Sequence, residues 1–315
     1  MSSVLGPRFP DGPDLENILN LSRSTYLEDL FARSLIDPVR DILLRPRKNV
    51  RGRLVNLGFR IAGAPAELVE PAVEALEFLH AGSLVVDDIQ DGSRYRRGRP
   101  SLHDLYGMPV ALNAGNWLYF LPFRRIENLG LSPERTLLVA REFQSTLLRA
   151  HYGQALDVGI PADTLAQGRL PEVSLAAIEL KSGALSALSF KLGALIQDLP
   201  ANASGALDEA GRRIGTALQM FDDLGNVSSK ADPAKRCEDL RLRRLSFVCA
   251  TAAEILDAAD YQEFFRLLVG LPAAADEVFA FLSERGVLCA GRAKARAYLD
   301  EAIAALRAPY PWRRT

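Results

Sequence analysis

Cysteine and histidine are both scarce in this 315-residue chain, three of each. Cys237, Cys249 and Cys289 share no metal-ligand spacing, and their odd number excludes a disulfide framework. They read as reduced thiols, which makes the cytoplasm the expected location. Net charge is also lacking: 38 Lys and Arg against 39 Asp and Glu leave −1. That balance gives no case for nucleic acid or an acidic membrane surface as partner. No apolar run is read as long enough to span a bilayer. The N-terminus, MSSVLGPRFPDGPDLENI, has no basic start leading into an apolar run, so no signal peptide is expected. Alternating strand patterns and internal repeats are missing as well, which excludes a β architecture.

What is present is an ordinary globular balance, 48% hydrophobic and 24% charged, on a chain long enough to bury a sizeable core. Residues 1–13, with three prolines and two glycines, read as a flexible lead-in, and 14–315 as a single all-α domain. Helical spacing starts near Leu15 and Leu19 and recurs over 50–62, 66–88, 111–129, 133–158, 173–199, 208–226 and 247–306. Pro122 should kink or split the 111–129 segment, and Ser132-Pro133 should cap the next helix. Breaks are expected at Gly270 and Gly286.

The chain reads as organised around the stretch 78–103, FLHAGSLVVDDIQDGSRYRRGRPSLH. An apolar helix runs into Asp87, Asp88 and Asp91, and residues four apart share a helix face. Clustered carboxylates at a buried helix end are costly unless cations share their charge. Few carboxylates with open positions suit magnesium, which keeps waters and substrate phosphates. Arg96 and Arg97 follow, with planar guanidinium groups that match phosphate oxygens. The blander alternative is a solvated acidic helix end. Asp222, Asp223 and Asn226 repeat the same spacing at the end of a second helix, with Lys230, Lys235 and Arg244 after them. Lys48 and Arg51 sit where the 50–62 helix begins, an end that favours anions, although a solvated basic turn reads as well there. Lys181 and Ser182 interrupt an otherwise apolar helix.

These blocks together resemble the trans-isoprenyl diphosphate synthases, most closely the eukaryotic and fungal geranylgeranyl diphosphate synthases. RPRKNVRGRL is similar to RPGKxxRxxL, and LHAGSLVVDDIQDGSRYRRGRPSLHDLYG to the first aspartate-rich block. ALNAGNWLYF, AHYGQALD, ELKSGAL, LQMFDDLGN with its DDxxN, and CEDLRLRRLSF resemble further blocks in the family order. The resemblance implies the isoprenoid synthase fold, an antiparallel helix bundle around a central apolar cavity. It also implies condensation of isopentenyl diphosphate with an allylic diphosphate, Mg2+ as cofactor, and a homodimer.

By the same resemblance Asp87, Asp91 and Asp222 hold the metal, with Asp88, Asp223 and Asn226 in support. Arg96, Lys181 and Lys235 or Arg244 take the allylic diphosphate, with Ser182 and Gln219 nearby. Lys48, Arg51, His80 and Arg97 take isopentenyl diphosphate. Gly82 and Ser83, small and one turn before Asp87, leave room for the prenyl tail, while Tyr119, Phe120 and His151 match the floor residues of geranylgeranyl enzymes. The sequence departs from the family at Arg47 (for Gly), Phe221 (for Arg), Arg243-Arg244 (for Gly-Lys) and Val248 (for Pro). Two other readings stay open: a class I terpene cyclase, which would not need Lys48, Arg51 and Arg97, and a catalytically weak partner subunit, suggested by the altered 241–248 segment.

Overall fold

The protein is described by a computed structural model covering residues 25–228, 231 and 235–307. The expected lead-in at 1–13, the spacing around Leu15 and Leu19, and Lys230 lie outside the described residues. Those described are almost wholly helical. Their sheet is one two-residue hairpin, β1 (Tyr95–Arg96) with β2 (Arg99–Pro100), which the sequence reading did not anticipate. The chain groups into two compact units, Met1–Val50 with Glu70–Gly130, and Arg51–Val69 with Leu131–Thr315.

In the first unit α1 (Thr25–Phe31) leads through a π turn into α2 (Asp37–Leu44). Helix α3 (Val50–Ala62) then crosses into the second unit, and α4 (Val69–Asp91) returns. After the hairpin come α5 (Leu102–Tyr106), α6 (Met108–Leu118) and α7 (Leu121–Glu127). The expected split of 111–129 occurs at Tyr119 and Phe120, with Pro122 in the first turn of α7, where its missing N–H is harmless. The core gathers Val39, Ile42 and Leu43 of α2, Phe78, Ala81 and Val85 of α4, and Ala111, Ala114 and Leu118 of α6. Helices α4 and α6 approach almost to backbone contact. A Cβ on Gly82 would lie 2.8 Å from the Gly115 carbonyl oxygen and 3.0 Å from Leu118 Cβ.

The second unit is built on long helices: α8 (Pro133–Gly159), α9 (Leu170–Ile178), α10 (Ala184–Ile196) and α11 (Ala201–Asn226). Then follow α12 (Glu238–Arg241), α13 (Phe247–Ile255), α14 (Ala258–Leu268), α15 (Ala275–Glu284) and α16 (Val287–Arg307). Ser132 caps α8 as expected, accepting the Arg135 N–H at 3.3 Å. A π turn, Glu179–Gly183, joins α9 to α10 and presents Lys181 and Ser182. Such bulges concentrate at functional positions.

The continuous helical stretch Gln167–Ile196 is long and apolar enough, by length and composition, to cross a membrane, contrary to the sequence reading; 67% of its most apolar window is buried within the protein, as in a core helix. Lys191 on α10 is itself buried, its Nζ 2.5 Å from Glu142 on α8 and 2.6 Å from Asp208 on α11. A buried ammonium is tolerable only with such partners.

Candidate active site

The first acid turn closes α4. Successive helical residues are rotated by about 100°, so Asp87 and Asp88 point in different directions. Asp88 is buried and Asp87 half-buried. Arg96 Nε donates to both Asp88 oxygens at 2.8 and 3.0 Å, and its Nη2 stands 3.6 Å from Asp87. The hairpin makes this possible. Arg97 and Gly98, its two central residues, have φ of +54° and +74°, as a two-residue hairpin turn of the left-handed type requires. Arg45, also buried, fastens the hairpin by donating from Nη1 to the Arg96 carbonyl at 2.9 Å and from Nε to Asp41 at 2.7 Å. Arg96 therefore orients the acid turn, a task beyond the diphosphate contact that the resemblance gives it.

Burial pulls the Arg97 guanidinium below its usual pKa, and the charge of Glu77 opposes that shift. Glu77 was not singled out in the sequence. It is a buried carboxylate on α4, 3.6 Å from Arg47 Nη1. The available signal was a Glu on the apolar face of a buried helix, three residues before His80. His80 is half-buried on α4. Lys48 is exposed in the segment just before α3, and Arg51 is half-buried in the first turn of that helix.

Among the chain-length candidates, Gly82 is buried and its smallness serves the α4–α6 contact. Ser83 is half-buried, with its hydroxyl donating to the His80 carbonyl at 2.8 Å. Tyr119 is half-buried, Phe120 is 68% exposed, and His151 is exposed on α8.

The second unit holds the other half of the candidate residues. At the end of α11 the pair again divides: Asp222 is exposed and Asp223 buried. Asp223 accepts the Phe247 N–H at 2.7 Å and Gln219 Nε2 at 2.8 Å, and Ser182 Oγ donates to Gln219 Oε1 at 2.7 Å. Burial, then the nearby Asp239 charge, push the Asp223 carboxyl well above the usual carboxylate range. Asn226 donates to Asp239 at 3.1 Å. Lys181 Nζ lies 3.0 Å from Asp157, whose carbonyl accepts from Arg244 Nη1 at 3.3 Å. Asp157 thus joins two candidate phosphate-binding cations, although the sequence reading gave it no role. Lys235 is 3.8 Å from Glu238.

The donor set fits magnesium in one respect and limits it in another. Asp88 is held by Arg96, and Asp223 by Phe247 and Gln219. Within its own unit each acid turn also carries less buried carboxylates, Asp87 and Asp91 in the first and Asp222 in the second. Among the described residues no three His, Cys, Asp or Glu side chains converge to hold one. A cation held here would draw other oxygens from water or diphosphate, as magnesium commonly does.

Comparison with known proteins places the chain in a family. The polyprenyl synthetase profile matches residues 32–282. A geranylgeranyl pyrophosphate synthase of Penicillium janthinellum is 30% identical over 212 residues, 67% of this chain and 55% of that protein. One from Macrophomina phaseolina is 30% identical over 248 residues, 78% of this chain and 71% of that protein. The chain thus spans little more than half of the first of these relatives. The crystal structure of geranylgeranyl pyrophosphate synthetase from Pyrococcus horikoshii superposes with a TM-score of 0.79 at 25% identity, covering 90% of this chain and 89% of that one. The fold is the all-α isoprenoid synthase fold, and the chain belongs to the polyprenyl synthetase family.

Proposed function

We propose that this chain is a magnesium-dependent trans-prenyltransferase that condenses isopentenyl diphosphate with an allylic diphosphate to give geranylgeranyl diphosphate. Residues 14–315 act in it as one domain, in the cytoplasm and as a homodimer. The observation that carries the reading is the division of labour within both aspartate pairs. In each, one carboxylate is buried and fixed by donors while its neighbour stays accessible. Helix rotation alone can separate two neighbours, but a solvated acidic helix end would not bury one carboxylate of each pair under two donor contacts.

The bound metal would neutralise the departing diphosphate. Asp87, Asp91 and Asp222 would hold it, with Asp88, Asp223 and Asn226 keeping the two acid turns in shape. Lys181 and Arg244, joined through Asp157, take the leaving-group oxygens, with Lys235 and Arg96 close to the acid turns in sequence. Lys48, Arg51, His80 and Arg97 bind the second diphosphate. Cations already fixed in place stabilise charge as it develops, without reorganising. The allylic cation then meets only the alkene, since the apolar face of α4 excludes water. Released pyrophosphate takes the final proton, so no tuned side-chain base is required.

The test is incubation with magnesium, isopentenyl diphosphate and dimethylallyl, geranyl or farnesyl diphosphate, followed by sizing of the products. Geranylgeranyl diphosphate from any starter supports the reading. A cyclic hydrocarbon formed without isopentenyl diphosphate would establish a cyclase instead, and the absence of any product a partner subunit.

A further inference from the structure

The segment after the second acid turn contains a residue that breaks two local rules. Arg243 has a left-handed backbone, φ +58°, in a region that favours glycine. Its Nη1 is buried with no hydrogen-bond acceptor. Local conflicts of this kind persist where surrounding contacts over-determine them, and they concentrate at functional sites. The surrounding contacts are specific. The guanidinium carbon lies 5.7 Å from the Phe265 ring centroid on α14, within cation–π range. Arg243 Nε is 3.7 Å from Asp163 in the short turn after α8. The Arg243 carbonyl accepts the Ala162 N–H at 2.8 Å. One residue thereby ties the 242–246 segment to two other elements. Its neighbour Arg244 reaches the Asp157 carbonyl, while Lys181 reaches the Asp157 carboxylate.

We propose that Arg243 is a positioning residue: anchored on Phe265, Asp163 and Ala162, it holds Arg244 beside Lys181 so that both cations meet one diphosphate. The inference rests on the prenyltransferase reading for the identity of that diphosphate. A glycine at 243 would adopt the same backbone without the anchor and would leave Arg244 to sample other positions. Cations held in place bind an anion without first being ordered, so the anchor acts through affinity.

The variants Arg243→Gly, Arg243→Lys and Phe265→Leu, made in the full chain, test this. The glycine variant removes the anchor and relieves the backbone, which favours its folding. Three quantities are read: hydrogen exchange at amides 242–246, affinity for inorganic pyrophosphate with magnesium by calorimetry, and KM against kcat for each substrate. Arg243→Gly should exchange faster there, bind pyrophosphate about tenfold more weakly, and raise the allylic KM about tenfold while the isopentenyl KM stays within about twofold. Phe265→Leu should move the same quantities about threefold, and Arg243→Lys should restore part of the loss.

Pyrophosphate affinity in Arg243→Gly within about twofold of the parent, or unchanged exchange at 242–246, overturns the proposal. Should that variant not fold, Phe265→Leu decides by the same two criteria. A parent that transfers no prenyl group but binds pyrophosphate in an Arg243-dependent way overturns the prenyltransferase reading and supports the role of Arg243.

Discussion

Asp222 and Asp223 are adjacent in sequence, yet they should fail differently when removed. Asp222 is exposed, so Asp222→Ala deletes a candidate metal ligand and almost no packing. Loss of one ligand should cost on the order of a thousandfold in rate while the melting temperature barely moves. Asp87→Ala and Asp91→Ala should do the same. Asp223→Ala also strands the buried Phe247 N–H, the price of a lost acceptor being about 1–3 kcal/mol of stability. Chemical denaturation alongside steady-state rates separates the two cases. An Asp222→Ala protein with activity within about tenfold of the parent would remove the second acid turn from the site.

At the scale of elements, the position of Lys181 depends on how closely α8 meets the π turn. A Cβ on Gly153 would lie 2.7 Å from the Lys181 backbone nitrogen and 2.8 Å from the Ala177 carbonyl oxygen. Gly153→Ala must therefore push α8 away from the turn, at about 1–3 kcal/mol. Because the displaced turn bears Lys181, the allylic KM should rise as well; a loss of stability with an unchanged allylic KM would separate Lys181 from that substrate.

A second inter-element contact carries a pH signature. Arg285, just beyond α15, donates to both Asp260 oxygens on α14, at 2.5 and 3.0 Å. Hydrogen bonding to Arg285 holds the Asp260 carboxyl below its usual range. A carboxylate depressed on folding adds stability above its unfolded pKa, and that stability is lost as pH falls through the folded value. Arg285→Ala should lower the melting temperature slightly at pH 7, and parent and variant should converge at acid pH, below the ordinary Asp range. A difference of equal size at both pH values would mean that Arg285 acts through packing.

At the scale of the whole molecule, two expectations concern assembly and product. Met108, Leu112 and Phe120, in and after α6, expose 54%, 41% and 68% of their surface. A second copy related by two-fold symmetry is the simplest cover for such side chains. Light scattering at micromolar concentration should return twice the 34.5 kDa of one chain; a mass of one chain would refute the dimer. Ser83 is half-buried one turn before Asp87, and on the proposed path of the prenyl tail Ser83→Tyr should shorten the product. An unchanged product would move the tail elsewhere.

The helical class, the helix over Val50–Ala62, the cap at Ser132 and both acid turns were legible in the sequence, because helical period and capping are properties of neighbouring residues. The cation at Lys181 was legible by type, since a charge inside an apolar block stands out, and Arg244 by its place in the block CEDLRLRRLSF. Which aspartate of each pair is buried was not legible, because burial depends on partners far along the chain: Phe247 for Asp223, and a hairpin turned by Arg97 and Gly98 for Asp88. Gly82 shows the same limit. Its small size was read as room for a substrate; the structure adds that α4 and α6 pack closely there, which the sequence did not show. Sequence spacing determined the chemistry available to this protein. Only tertiary packing, by choosing which groups lose water and gain a fixed partner, decided how that chemistry is divided among the residues.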